Sequence, residues 1–308
     1  SEFKRFMGIL HNETFASTGR KMTPVELSAE ILKSIREDVL RQTGTPLTDA
    51  VITVPASFDT RQCDATTQAG KLAGLDNIVL LQEPISAAIA YGMKPDSKNQ
   101  YWMVFDFGGG TLDIAVVSTF ENRLSVINHQ GDNRLGGKNI DTLLVDKLIF
   151  PAIKEKYRLT ENAQALENIK RRLRVFAETA KKTLSTAENA VIDIYDIGED
   201  MDGEFIELTI NITRNEFNNI ISELVESSVC LARKSVEEAE IDKSALNKII
   251  LVGGTTLIPY IRERLSEEFS APLDISIDPI TVVARGAAIY GSTVKVKSSA
   301  PTTPAKKS

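Results

Sequence analysis

The chain has 308 residues, which is long enough for two lobes that each bury a core of their own. Lys and Arg number 36 against 42 Asp and Glu, and this net charge of −6 argues against a general nucleic-acid or membrane-surface binder. No apolar run approaches the roughly 20 residues of a membrane span, and we expect neither a span nor a signal peptide. Two cysteines and two histidines disfavour a disulfide framework, a zinc cluster and a His-based triad, so a reducing cytoplasm is the expected compartment.

The first strong structural signal is the start of a helix. Residues 9–22 carry Gly, Ser, Asn and Thr without periodicity, and we predict a loop there. Thr23-Pro24-Val25-Glu26 then combines an N-cap, a proline at the first helical position and a capping-box glutamate. Gly44 is the predicted helix end. Apolar residues recur every four positions along this helix and predict its buried face: Leu27, Ile31, Ile35 and Val39.

Strands and helices alternate in the next segment. Two apolar runs, at 50–54 and 78–81, predict strands, and a helical pattern follows each of them, at about 59–73 and 85–91. This order is typical of parallel α/β architecture.

The stretch from Met103 to Val117 has two apolar runs around Asp106, three glycines and Thr111. So short a glycine-rich connection predicts a tight hairpin. Glycines let backbone N–H groups approach an anion, and an adjacent carboxylate suits a hydrated divalent cation. The motif therefore indicates a phosphate and magnesium site, the alternative being a glycine-rich hairpin that merely turns.

The rest of the chain is predicted from periodicity and capping signals. A strand at 124–129 leads into a second glycine-rich turn at 131–137. The later predicted elements are helices at about 140–157 and 163–184, an antiparallel pair at 191–197 and 205–212, a helix at 213–239, a strand at 248–252, and helices at 257–268 and 280–294.

A series of motifs, in order over nearly the whole chain, resembles the ATPase domain of the seventy-kilodalton heat-shock chaperones (DnaK-like), a branch of the actin and sugar-kinase superfamily. The ordered series is far more specific than one glycine-rich hairpin. The motifs are Val51-Ile-Thr-Val-Pro-Ala56, Gln82-Glu-Pro84, Ala87-Ala-Ile-Ala-Tyr-Gly92, Val104-Phe-Asp-Phe-Gly-Gly-Gly-Thr111, Gly131-Asp132, Leu135-Gly-Gly137, Arg171-Arg-Leu-Arg174, Ala180-Lys-Lys-Thr-Leu-Ser185, Leu251-Val-Gly-Gly-Thr255 and Gly286-Ala-Ala288.

The resemblance implies an α/β, actin-like ATPase fold with two lobes around a nucleotide cleft. We expect residues 1–94, with a returning helix at 277–294, to form lobe I. Residues 95–276 are expected to form lobe II, with a helical and antiparallel subdomain at about 140–214, and residues 295–308 to be a disordered tail. The family's opening strand–turn–strand, its first phosphate loop, has no counterpart here. Lobe I is therefore expected to be incomplete, with an exposed strand edge open to self-association.

The resemblance assigns catalytic roles to four residues. Lys4 matches the lysine that positions the attacking water near the γ-phosphate, the alternative being an ordinary surface lysine. Glu83 matches a carboxylate that orders water and metal, and Asp106 would hold hydrated Mg²⁺. Thr111, with Gly108, Gly109 and Gly110, would face the phosphates of ATP or ADP. A role for Asp113 toward metal-bound water or K⁺ is no better supported than that of a plain strand-end aspartate.

The resemblance also implies a nucleoside site in the second lobe. Gly136 and Gly137 would approach the phosphate and ribose. Helix spacing puts the matched ribose and adenine residues near one face, although a solvated helix face is the alternative. These residues are Glu178, Lys181 and Ser185, and the matched glycine turn beside them is Gly253, Gly254 and Thr255.

Several positions depart from the family pattern. The family commonly sandwiches adenine between two arginines, and Lys182 and Leu257 stand at those positions here. Lysine lacks the planar guanidinium that stacks on a ring. Ile280 replaces a frequent acidic residue near the base, and Cys63 replaces an arginine implicated in relaying the nucleotide state, whereas Pro55 of that relay is kept.

The first hypothesis is a truncated nucleotide-binding domain of a cytoplasmic, stress-related chaperone. Its parent would couple ATP binding and hydrolysis to protein folding, while this chain alone binds nucleotide weakly or not at all. The expected partners of the parent are a J-domain co-chaperone and a nucleotide-exchange factor. Unfolded client peptides would bind only through a further domain that this sequence does not contain.

The second hypothesis is a non-catalytic binding or regulatory module on an actin-like scaffold. Lys182, Leu257 and Cys63 favour it, whereas Lys4 and the two matched carboxylates oppose it. An actin-like filament protein or a sugar kinase would share the fold, but the Glu-Pro and Leu-Gly-Gly contexts match the chaperones better.

Overall fold

The computed structural model describes residues 3–15, 19–95 and 99–294. The chain divides into two compact units, Ser1–Ala90 with Ala284–Ser308 and Tyr91–Val283. The division that we predicted from the sequence, into lobe I at 1–94 with 277–294 and lobe II at 95–276, stays a prediction. The tail that we predicted to be disordered, 295–308, lies outside the described residues.

The first unit is a short α/β assembly. It contains a 3₁₀ helix at Phe3–Phe6 and the elements β1 (Glu13–Thr14), β2 (Lys21–Met22), α1 (Pro24–Thr43), β3 (Asp49–Val54), α2 (Thr60–Leu72), β4 (Asn77–Gln82) and α3 (Glu83–Ala90). Strands β3 and β4 pair in parallel, with Ala50 opposite Ile78. The antiparallel pairing of β1 with β2 corrects the loop that we predicted at 9–22, where two-residue strands are too short to produce a periodic pattern.

Helix α1 begins at the predicted capping box. The N–H of Glu26 donates to the Thr23 hydroxyl at 3.2 Å, and the N–H of Thr23 donates to the Glu26 carboxylate at 2.7 Å. The predicted buried face of this helix was wrong at two of its four residues: Ile31 is 51% and Ile35 47% exposed, whereas Leu27 and Val39 are half-buried. Helix α1 packs on α2, and the buried residues of the two helices are Pro24, Ala29, Ala65, Ala69 and Gly70.

The second unit is organised around a mixed sheet. Its elements are β5 (Tyr101–Phe107), β6 (Leu112–Phe120), β7 (Arg123–Asp132), α4 (Gly137–Leu144), α5 (Phe150–Lys156), α6 (Ala163–Leu184), β8 (Asn189–Ile194), β9 (Leu208–Thr213), α7 (Arg214–Glu238), β10 (Leu246–Val252), α8 (Pro259–Glu268) and β11 (Leu273–Asp274). Helix α9 (Val282–Thr293) begins in this unit and continues into the first. Among the described residues the main sheet has the order β11-β10-β5-β6-β7.

The helix predicted at 140–157 is interrupted in the structure. Between α4 and α5 the chain makes a π-helical turn at Val145–Ile149. Pro151 stands in the first turn of α5 and has no N–H to donate, which is compatible with a local change of hydrogen-bond pattern. Strand β11 was not predicted because it has two residues only.

The core of the second unit lies on both faces of the sheet. Strands β5 and β6 are nearly continuous apolar runs, as expected for strands covered on both faces. Phe105 and Phe107 are fully buried and meet edge to face, with ring centroids 5.9 Å apart. This rigid core holds the ends of the strands in place. In the described part of the chain no helix is long and apolar enough to cross a membrane.

Sheet topology brings three glycine-rich turns to one edge. Strands β5 and β10 are parallel, with Asp106 opposite Val252, so the turns that follow them emerge at the same end. Strand β7 is antiparallel to β6, with Asp132 opposite Leu112, and the turn after β7 therefore starts at that end as well. Crevices at the carboxyl ends of parallel strands are where α/β sheets place ligands.

Candidate functional site

The three turns are bonded to one another. The N–H of Gly137 donates to the carbonyl of Gly108 at 3.1 Å, and the N–H of Lys138 donates to that of Gly109 at 2.8 Å. The hydroxyl of Thr255 also donates to the Gly108 carbonyl, at 2.8 Å. The second and third turns therefore both bind the first turn through hydrogen bonds. We expected Gly137 near the phosphate, but its N–H is already used in a hydrogen bond within the protein.

Glycine is required where the backbones approach most closely. A Cβ at Gly136 would lie 2.5 Å from the nitrogen of Gly110. Gly253 has φ +83°, and a Cβ there would lie 2.4 Å from the carbonyl oxygen of Phe107 and 2.9 Å from Oδ1 of Asp106. No side chain fits at either position without displacing backbone, so the sequence pattern reflects a real steric constraint.

The first turn itself is the predicted tight hairpin. Strands β5 and β6 pair antiparallel as far as Phe107 and Leu112, and the N–H of Gly108 donates to the carbonyl of Thr111 at 3.0 Å. Asp106 on β5 is paired directly with Asp113 on β6, which places the two carboxylates on the same face of the sheet. Glycine and turn chemistry alone were enough to predict this hairpin.

A buried ion pair ties α6 to the second turn. The ammonium of Lys181 lies 2.7 Å from Oδ1 of Asp141 on α4 and donates to the carbonyl of Gly137 at 3.0 Å. The two charged side chains are only 13% and 8% exposed. Burial raises the pKa of Asp141, and the nearby Lys181 opposes that rise. Removal of either partner alone would leave a buried charge unpaired.

A second, exposed ion pair stands one residue further along α6. Lys182 Nζ lies 2.8 Å from Oε1 of Glu178, and the hydrogen bond from Lys182 lowers the pKa of Glu178. The hydroxyl of Ser185 donates to the carbonyl of Lys181 at 3.0 Å. The Lys182 ammonium is therefore directed toward its own helix, in an i,i+4 pair of little energetic weight.

These groups surround a cavity of about 340 Å³ in the second unit. That volume is in the usual range for small-molecule sites, about 300–1,000 Å³. Its wall combines predicted residues from the three turns and α6 with others that we did not predict. The lining residues are Gly109, Gly137, Glu178, Lys181, Lys182, Ser185, Thr186, Gly254, Thr255, Leu257, Ile258, Arg262 and Ile280.

The two remaining predicted residues lie in the first unit and contact each other. Lys4 Nζ donates to Oε1 of Glu83 at 2.8 Å. Lys4 is 57% exposed and Glu83, the first residue of α3, is 18% exposed. The sequence indicated both residues separately and gave no sign of their pairing, because 79 positions separate them.

The side chains near the turns that could bind a metal suit a hydrated magnesium ion better than a metal held by protein ligands alone. Among the residues that the structure describes, no cluster of three or more His, Cys, Asp or Glu side chains could hold a metal. Mg²⁺ keeps several waters and takes one or two carboxylates together with substrate phosphates. The Asp106 carboxylate beside the glycine turns is compatible with that kind of binding.

Sequence reasoning missed some residues of this site. Asp141 lies on the apolar, buried face of α4 with Ile140 and Leu144, and an acid on such a face could have signalled a buried partner. Arg262 lies on α8 with no sequence signal that connects it to the cavity.

The fold and site define a mixed α/β protein in which glycine-rich turns at the end of a sheet wall a small-molecule cavity. Comparison with models of known families matches the Hsp70 protein family over residues 11–300. The chain belongs to the Hsp70 family, and the matched region is an Hsp70-type ATPase domain. This confirms the family resemblance found from the motifs. Members of this family in general bind ATP or ADP with Mg²⁺.

Proposed function

We propose that this chain is a nucleotide-binding domain of an actin-like, two-lobed type from a cytoplasmic Hsp70 chaperone. It binds Mg-ADP and Mg-ATP weakly through the cavity of the second unit. The observation that carries the proposal is the meeting of three glycine-rich turns, the Lys181–Asp141 pair and an apolar wall around one cavity of about 340 Å³.

The lining suggests how a nucleotide would lie. The glycine turns, with Gly109 and Gly137, let backbone come close to phosphate oxygens. Lys181 is a fixed positive charge beside them. Asp141 and Gly137 take two of its three ammonium donors, which leaves one for a phosphate or ribose oxygen. Leu257 and Ile280 form an apolar wall suited to a base.

The carboxylate of Asp106 would hold Mg²⁺ through bound water. When bound, the ion neutralises charge on the phosphates. Phosphoryl transfer depends on positioning and charge neutralisation more than on covalent catalysis by the protein. The glycine turns, Lys181 and Asp106 are groups of the kind that this chemistry needs.

In the first unit we assign Lys4 and Glu83 the positioning of water. The carboxylate of Glu83 fixes the Lys4 ammonium at 2.8 Å, and fixing it lowers the entropy cost of orienting a water molecule. In a complete chaperone, hydrolysis would control peptide binding with a J-domain co-chaperone and an exchange factor. We expect weak or absent turnover in the present chain.

Calorimetric titration with Mg-ADP tests the proposal. We expect a dissociation constant on the order of 10–500 μM for the 308-residue chain. The double variant Lys181→Met/Asp141→Asn removes the buried pair without leaving a single charge behind, and it should bind at least about tenfold more weakly.

The matched control is Lys170→Met on the same helix. Lys170 pairs with Asp146 outside the cavity, and its replacement should change the affinity by less than about twofold. Absence of binding at millimolar Mg-ADP would contradict the proposed site. An equal loss of affinity in the Lys181→Met/Asp141→Asn variant and in Lys170→Met would contradict it as well.

A further inference from the structure

The lining of the cavity includes one planar cation, Arg262, that the family pattern does not account for. Arg262, on α8, lines the same cavity as Leu257 and Ile280. The two lysines of the lining are point charges with carboxylate partners, Lys181 with Asp141 and Lys182 with Glu178. An ammonium is strongly hydrated and has no flat face to place on a ring, whereas a guanidinium has one.

The guanidinium of Arg262 is held in a fixed plane. Its Nε donates to the carbonyl of Thr256 at 3.0 Å, and its Nη2 donates to the carbonyl of Leu257 at 2.5 Å. Both bonds use one edge of the fork. Stacking on an aromatic ring uses the flat face and needs no N–H group, so the loop can fix the guanidinium without consuming its stacking surface.

We propose that Arg262 is the specificity residue for the nucleobase, with its guanidinium stacked on the ring. This inference rests on the proposed nucleotide site and names the residue that distinguishes a purine ring from a pyrimidine ring there. A purine has the larger ring surface, so it gains more than a pyrimidine from a stacked cation and from the apolar contact of Leu257 and Ile280. Arg262 thus supplies the planar cation that Lys182 and Leu257 do not.

The test compares Arg262→Lys with Arg264→Lys in the full chain, using Mg-ADP and Mg-UDP as ligands. Lysine at position 262 keeps the positive charge and a donor for the loop carbonyls, but it lacks the planar guanidinium that would stack on the ring. Arg264 lies two positions along the same helix and donates instead to Glu226 at 2.5 Å and to Glu267. Binding is measured by calorimetry up to millimolar ligand, and unfolding temperatures are recorded for every variant.

We expect Arg262→Lys to weaken Mg-ADP binding by about 3- to 30-fold, the range of a cation–π contact between partial and full desolvation. Mg-UDP should bind more weakly than Mg-ADP to the unchanged protein and lose less than about twofold in this variant. Arg264→Lys should leave both affinities within about twofold.

Equal losses for both nucleotides would mean that Arg262 only supports the loop, and that result would overturn the inference. Unchanged Mg-ADP affinity in Arg262→Lys, or equal affinity of the unchanged protein for the two nucleotides, would overturn it while the proposed function stands. If the unchanged protein bound neither nucleotide, the proposed function would fail first and the inference with it.

Discussion

The carboxylate of Glu268 on α8 is hydrogen-bonded by two cationic side chains. Arg233 on α7 donates to it through Nε at 2.9 Å and Nη2 at 2.6 Å, and Lys243 donates to the same carboxylate. The bidentate bond from Arg233, together with Lys243, lowers the pKa of Glu268 to about 2. The cluster fixes α8, which presents Arg262 to the cavity, against α7.

This pairing predicts a pH-dependent stability. Because the folded pKa of Glu268 lies below its unfolded value, the stabilisation is complete above about pH 4.5 and is lost as the pH falls toward about 2. The two cations are about 40% exposed, so solvent screening reduces the contribution to about 1–2 kcal/mol at pH 7.

We therefore expect Glu268→Gln to unfold at lower urea concentration at pH 7, with the difference from the unchanged protein shrinking at pH 3. Glu263→Gln, an exposed position on the same helix, serves as the control. A difference that stays constant between pH 7 and pH 3 would contradict the account.

At the residue scale, the glycine turns could be predicted from the sequence and their partners could not. Gly108–Thr111 follows from local turn chemistry. The contact of Lys181 with Asp141 and the position of Arg262 depend on how helices far apart in sequence pack, which no local pattern encodes. The predicted roles of the site residues stay predictions.

Helices α3 and α9 approach each other at a glycine in the first unit. A Cβ at Gly286 would lie 1.7 Å from the carbonyl oxygen of Ser86, and both residues are buried. Further along α9, a Cβ at Gly291 would meet only Cγ2 of Val51, at 3.3 Å. Gly286 is therefore the position on α9 that sets the distance between the two helices.

Gly286→Ala should destabilise the protein by about 2–3 kcal/mol, since a backbone carbonyl cannot move aside as a side chain can. Gly291→Ala should change stability by less than about 1 kcal/mol, because alanine favours a helix and the valine methyl can shift. Urea unfolding of both variants checks this prediction. Equal effects would show that α3 and α9 are not in close contact.

At the scale of elements, helices and strands with strong local sequence signals were predicted correctly. The capping box at Thr23 and the alternation of β3, α2 and β4 appear as expected. Periodicity failed in part where packing decides: Ile31 and Ile35 of α1 are exposed, and the buried residues of α2 beside it are small. The π-helical turn before α5 depends on a backbone hydrogen-bond shift that a hydrophobic pattern does not show.

At the scale of the whole molecule, the choice between an ATPase and a non-catalytic module depends on the first unit. The ATPase hypothesis predicts that the Lys4–Glu83 pair, at 2.8 Å, positions water, whereas the module hypothesis leaves it an ordinary exposed ion pair. Steady-state phosphate release should be slow, and Lys4→Ala should lower it at least about tenfold if Lys4 positions water. Lys21→Ala, another exposed lysine of this unit, is the control.

Phosphate release that is measurable but insensitive to Lys4→Ala would favour the regulatory-module hypothesis. The family itself could be predicted from the sequence because its motifs are spread in order along the chain, and the match over residues 11–300 confirms it.

The central claim is that nucleotide binds in the cavity of the second unit. Hydrogen exchange with and without saturating Mg-ADP tests it most directly, because bound ligand slows local opening of the backbone that it contacts. We predict slower exchange in peptides that cover 107–112, 136–142, 178–186 and 253–262. Unchanged exchange in all four segments at saturating Mg-ADP, or protection confined to other parts of the chain, would contradict the account.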